Sequence, residues 1–202
     1  MRCLIVLMAL AFALCGFAPA QLVINEVDAD QAGLDSAEFV EIYDGGVGNS
    51  PLTGLVLVFF NGATDLSYRS FDLTGMTNAQ GYYLCGPSTF PGGVDFIIDL
   101  PSSSTPTQNL IQNGADAIAL YVGSAAAWPN GTPASSVGLV DAVVYDTADP
   151  PDPGLVAILT PGQPQIDENS GLAGKDFDSI ARCPDGGAQL VTTTYLAITP
   201  TP

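Results

Sequence analysis

The 202-residue chain has no histidine, one lysine, three arginines and one tryptophan. Without histidine it lacks the commonest general base near neutral pH, every His-dependent triad and every His-ligated zinc site. Four basic residues against 21 acidic ones leave a net charge of −17. A charge of that sign repels phosphate backbones and anionic membranes, so no direct nucleic-acid or membrane binding is expected. Helical apolar periodicity is also missing. The 22 glycines and 16 prolines interrupt every stretch long enough for a substantial helix.

The single long apolar run, Leu4 to Phe17, follows Arg2 and precedes Ala18-Pro19-Ala20. This is the order of a secretory signal peptide, with cleavage expected before Gln21. The run is too short to span a bilayer comfortably. The expected division is therefore a leader over residues 1–20 and one secreted, extracellular domain over 21–202. Losing Arg2 takes the charge to 3 − 21 = −18. Cys3 and Cys15 leave with the leader. In an oxidising compartment the remaining Cys85 and Cys183 read as one disulfide, closing a loop of about 100 residues. Two buried free thiols are the alternative.

Short segments rich in β-branched and aromatic residues alternate with turn residues. Leu22 to Val27, Glu38 to Tyr43, Leu55 to Phe60, Tyr82 to Cys85, Val94 to Ile98, Ala117 to Val122 and Leu139 to Tyr145 read as strands. Phe71 and its neighbours, Leu155 to Leu159 and Leu190 to Ile198 are weaker strand candidates. Ser124 to Trp128 has room for one helical turn, and the prolines of 101–106 and 149–153 mark surface loops. Seven or more short strands predict an all-β, antiparallel sandwich or barrel. Leu55-Val-Leu-Val-Phe-Phe60 is apolar on both faces, which places it inside a sheet and between protein layers.

Leu22-Val-Ile-Asn-Glu-Val27, Ala37-Glu-Phe-Val-Glu-Ile-Tyr43, Gly45-Gly46 and Leu52-Thr-Gly54-Leu-Val-Leu57 follow one another at the head of the domain. Together they resemble the opening of lamin tail domains. The closing Ser179-Ile-Ala-Arg-Cys-Pro-Asp-Gly-Gly187 is similar to the end of secreted, bacterial-type members. The resemblance implies an immunoglobulin-like antiparallel β-sandwich and a non-catalytic module, one that elsewhere accompanies extracellular nucleases or phosphatases or is repeated in surface proteins. The stretch from about residue 86 to 136 departs from the pattern as an insertion.

Seven acids fall between Glu26 and Asp44 with no lysine or arginine among them. Flexible, anionic, oxygen-only loops suit calcium, which takes six to eight oxygens. Glu26, Asp28, Asp30 and Asp35 are the candidate metal ligands. A solvated acidic surface is the plainer reading of the same residues. Asp167, Glu168, Asp176 and Asp178 form a second acidic group, with Lys175 and Arg182 close enough for salt bridges. For a carboxylate-type hydrolase, Glu38 and Glu41 are excluded as a pair because odd spacing puts them on opposite faces of one strand. Glu26 and Glu41, on adjacent strands, could face each other. No aromatic cluster visible in the sequence suggests a sugar platform.

Three functions follow from these readings. The first is a secreted non-catalytic binding or adhesion module for an extracellular protein, glycan or cation, with calcium as its candidate cofactor. The second is a structural subunit of an extracellular matrix or assembly. The third is a carboxylate-dependent hydrolase or an accessory module of an extracellular nuclease.

Overall fold

A computed structural model describes residues 21–100 and 103–202, so the expected leader lies outside the described residues. Eleven strands form two sheets. The strands are β1 (Val23–Asp28), β2 (Phe39–Tyr43), β3 (Leu55–Asn61), β4 (Leu66–Asp72), β5 (Tyr82–Gly86), β6 (Phe96–Ile97), β7 (Asp116–Val122), β8 (Leu139–Asp146), β9 (Ile166–Asp167), β10 (Ser179–Arg182) and β11 (Tyr195–Ile198). The first sheet runs β11-β10-β1-β2-β5-β6 and the second β4-β3-β7-β8-β9. The all-β sandwich expected from the strand pattern is the architecture found.

Pairing is antiparallel except for two short additions, β5 with β6 and β8 with β9, which are parallel. A parallel neighbour needs a crossover connection. Between β8 and β9 that crossover is α1 (Pro153–Leu159), where the sequence reading expected a strand over Leu155 to Leu159. Asp152 caps this helix by accepting from the Gly154 and Leu155 amides, and Pro153 holds its first position. Leu155 and Leu159, one turn apart, are both buried. A five-residue apolar run carries no period of its own, so the cap decides in favour of helix. The turn expected at Ser124 to Trp128 is a 3-10 turn over Ala125–Ala127, capped by Ser124.

Two apolar layers result. Ile24, Val27, Val40 and Ile42 of the first sheet meet Leu57, Phe59, Ile118, Leu120 and Val143 of the second. On the far side of the second sheet, Val56, Val58 and Phe60 pack with Leu155, Leu159 and Trp128. Strand β3 is therefore buried on both faces, as its unbroken apolar sequence requires.

The two cysteines are free, which corrects the expected disulfide. Cys85 is fully buried in the layer between the sheets, whereas Cys183 is exposed just beyond β10. Strands β1 and β2 stand between β10 and β5. Three strand spacings amount to about 14 Å, twice what a disulfide spans between Cα atoms.

A candidate ligand groove on the outer face of the first sheet

Alternation along β2 sends Val40 and Ile42 into the core and leaves Glu41 and Tyr43 on the outer face. On β5, Tyr83 and Cys85 point inward, leaving Tyr82 and Leu84 outside. The register sets Tyr43 beside Tyr82 and Glu41 beside Leu84. The two tyrosine rings stack at 4.6 Å with 30° between their planes. Gly186 backs Tyr43 with φ of +83°, a conformation side chains rarely adopt, and a Cβ there would crowd the ring at 3.2 Å.

Strand β1 carries a bulge between Ile24 and Glu26 that leaves Asn25 out of the ladder. The Asn25 amide organises the site. Its Oδ1 accepts from the Gly186 amide at 2.9 Å, while Nδ2 donates to Glu41 Oε1 at 2.9 Å and to Asp185 Oδ1 at 3.1 Å. Asp185 Oδ2 accepts from the Tyr82 hydroxyl at 2.8 Å. Asp95 Oδ2 accepts from the Leu84 amide at 2.9 Å, which fixes the loop over Gly92, Gly93 and Val94.

Two connected hollows of about 320 and 350 Å³ open over this arrangement, and both are lined by Glu41, Asn78, Tyr82 and Pro202. Glu41 is only 6 % exposed. One of its oxygens is held by Asn25, and no hydrogen bond reaches the other from any described residue. Burial pushes its carboxyl up to about 7 against the opposing pull of Asn25, and the nearby Glu26 and Asp185 push the same way.

Glu26 is the cross-strand partner of Glu41, so the two acids do face each other across adjacent strands. Their surroundings differ. Glu26 is 1 % exposed and accepts from the Ser179 hydroxyl at 2.5 Å, the Thr201 amide at 2.9 Å and the Thr201 hydroxyl at 2.7 Å. Both its oxygens are committed to holding β10 and the C-terminal segment.

The four residues expected to cage calcium are each engaged by separate partners and do not group around one point, although Glu26, Asp35 and Asp30 lie near enough to add to the upward push of burial on the Asp28 carboxyl. Glu26 is engaged as above. Asp28 accepts from Gln31 Nε2 at 3.2 Å, and burial pushes its carboxyl up to about 7. Asp30 is in an ion pair with Lys175. Asp35 accepts from the Gln31 amide at 2.9 Å and from Asn113 Nδ2 at 3.0 Å. Among the described residues, no three Asp, Glu, Cys or His side chains are grouped to hold a metal ion. Sequence order also concealed a merger of the two acidic groups. Glu168 reaches across to accept from the Ala29 amide at 3.0 Å, and burial pushes its carboxyl up to about 10.

All three basic residues beyond position 20 lie away from the groove. Arg69 donates to the carbonyls of Leu110 and Asn109, Lys175 pairs with Asp30 and Asp176, and Arg182 is buried against Asp141. A larger hollow of about 500 Å³ lies between Asn61, Asp116 and the 149–153 loop. Two of its three acids serve the fold: Asp116 accepts from the Gly62 amide at 2.8 Å and Asp152 caps α1. It has no aromatic lining. Behind it Asp65 Oδ1 and Asp152 Oδ2 are buried without a hydrogen-bond partner among the described residues, and burial, with Asp152 beside it, pushes the Asp65 carboxyl up.

Among the described residues no helix is long and apolar enough to cross a membrane. Comparison of the chain with protein-family models, curated proteins and solved structures finds no match.

Proposed function

We propose that the protein is a secreted, non-catalytic binding or adhesion module and that the groove over Glu41 and Tyr82 is its ligand face. The observation that carries this reading is Glu41: a nearly buried carboxyl, oriented by Asn25, with one oxygen left free at the floor of a groove that also offers a stacked aromatic ring. That oxygen is not sealed in the interior but opens onto the groove, where an incoming donor can reach it. A glycosidase would need a second available carboxylate, and the engagement of Glu26 favours binding over hydrolysis. The proposal includes the lamin-tail-type, immunoglobulin-like character implied by the motifs at 22–57 and 179–187, and export directed by residues 1–20. Calcium forms no part of it, because the carboxylates expected to ligate it are each engaged by separate partners.

One observation favours assembly as a second reading. Leu172 and Leu196 are exposed and line a hollow of about 450 Å³ beside β9 and β11. Light scattering decides between them, since stable oligomers that resist salt would move the proposal to a structural subunit. The ligand-face proposal is tested by screening extracellular proteins and glycans against wild type, Tyr82→Ala and Glu41→Gln. Binding lost in both variants, with cooperative melting showing that each remains folded, supports it. Ligands that bind wild type and variants equally would refute it.

A further inference from the structure

We infer that the groove recognises a protonated amino sugar within a glycan, with the ammonium on Glu41 and the sugar ring against Tyr82. This rests on the reading of the groove as the ligand face and names the chemistry of its ligand.

The charge of the ligand follows from the lining. Glu41, Asp95 and Asp185 border the two hollows, and no lysine or arginine does. An anionic ligand would meet like charge, and a neutral one would leave Glu41 to hold its proton, whereas an adjacent ammonium favours its carboxylate and gains an ion pair. An ammonium group donates up to three hydrogen bonds, enough for the free Glu41 oxygen and a neighbouring carboxylate together.

Shape selects the rest of the ligand. Tyr82 is held rigidly, stacked on Tyr43 and tied through its hydroxyl to Asp185, so it offers a fixed ring edge and face at low entropic cost. Asn78 uses its Oδ1 to brace the Gln80 and Tyr82 amides, and no described residue accepts from its Nδ2. That amide is a ready donor to a sugar hydroxyl.

A lysine-bearing peptide would supply the same ammonium, but its main chain would have little to hold. Peptides commonly add to an open sheet edge. Along Tyr82 to Leu84 the side of β5 away from β2 has no strand neighbour among the described residues, but its amides and carbonyls are already taken by Asn78 and Asp95, which leaves no ladder bond for a peptide.

Isothermal titration with glucosamine and N-acetylglucosamine hexasaccharides tests the inference, at a pH where the free amines are protonated. Acetylation removes the charge and leaves the ring. Wild type is expected to bind the deacetylated oligomer at least about tenfold more tightly, a preference that Glu41→Gln abolishes. Tyr82→Ala should weaken both ligands, and Tyr82→Phe should retain most of the binding because the ring remains. Equal binding of both oligomers would overturn the ammonium assignment while leaving the groove a glycan site. A preference that survives Glu41→Gln would also overturn it, as general attraction of a polycation to an acidic surface. If neither sugar binds and a lysine-rich peptide does, lost in Glu41→Gln, the sugar assignment fails and the occupant is a protein. A melting-temperature comparison of each variant with wild type separates lost binding from lost folding.

Discussion

Arg182 of β10 and Asp141 of β8 form an ion pair with both side chains fully buried, joining the two sheets across the core at 2.9 Å and 3.2 Å. Asp141 also accepts from the backbone amides of Ile24 at 2.8 Å and Leu190 at 2.6 Å. Arg182 donates Nε–H to the Ile24 carbonyl at 2.9 Å and lies 4.9 Å from the centre of the Tyr195 ring. One pair thus fixes β1, β8, β10 and the C-terminal segment at once.

Removing one partner leaves the other charge buried without compensation, which costs about 3–5 kcal/mol, whereas replacing both with apolar groups is far milder. Asp141→Ala should lower the melting temperature by on the order of 10 °C. Arg182→Met/Asp141→Leu should recover part of that loss. A double variant less stable than the sum of the two singles would argue against the pair as the link between sheets.

The free cysteines give a chemical prediction. Thiol titration of the unreduced 21–202 chain should find one reactive group in the folded protein, Cys183, and a second, Cys85, only on denaturation. Burial pushes the Cys85 thiol well above its ordinary range, so its thiolate is scarce until the core opens. Reduction should leave the melting temperature unchanged. A chain with no thiol even when denatured would restore the disulfide.

Acidic pH should stabilise the protein. Burial pushes Asp28 up to about 7, Glu41 up to about 7 and Glu38 up to about 8, from ordinary values near 4. Below pH of about 4 both states hold these protons and the groups contribute nothing to the difference. Between about 4 and 8 the folded state keeps protons that the unfolded state has released, so stability falls as pH rises. Repulsion among the surface carboxylates acts in the same direction. Glu38→Gln separates the two effects, because it removes one buried titration and barely changes the surface. The fall in melting temperature from about pH 5 to about pH 8 should be smaller in this variant. An identical fall would assign the whole effect to surface repulsion.

With Glu26, Asp28, Asp30 and Asp35 each engaged by separate partners, calcium and magnesium at equal ionic strength should raise the melting temperature equally, through screening alone. An excess for calcium that disappears in Asp28→Asn/Asp30→Asn would show that the loops rearrange into a site. Magnesium is the proper control because it demands tighter octahedral geometry than calcium.

Strand positions were legible because alternation and turn residues act locally. Glu38 to Tyr43 and Leu55 to Phe60 read correctly from a few residues each. The facing of Glu26 and Glu41 also followed from spacing and adjacency. Helix α1 was missed because its decisive feature is a single capping aspartate beside prolines, in a stretch that reads as a loop. The cysteines misled because pairing by elimination ignores sheet order, and sheet order is a long-range property. The groove was hidden for the same reason. Tyr43 and Tyr82 are distant in sequence and become a stacked pair only through the register of β2 with β5. Asn25 beside Glu26, two consecutive polar residues that break the alternation of β1, was the one local signal of a bulge with a polar task.

The most direct test of the ligand face is an amide chemical-shift map of the 21–202 chain titrated with the glucosamine hexasaccharide. The groove predicts that the largest perturbations fall at Glu41, Asn78, Tyr82, Asp95 and Asp185. Perturbations centred instead on Asn61, Asp116 and the 149–153 loop would place binding in the other hollow and contradict the account.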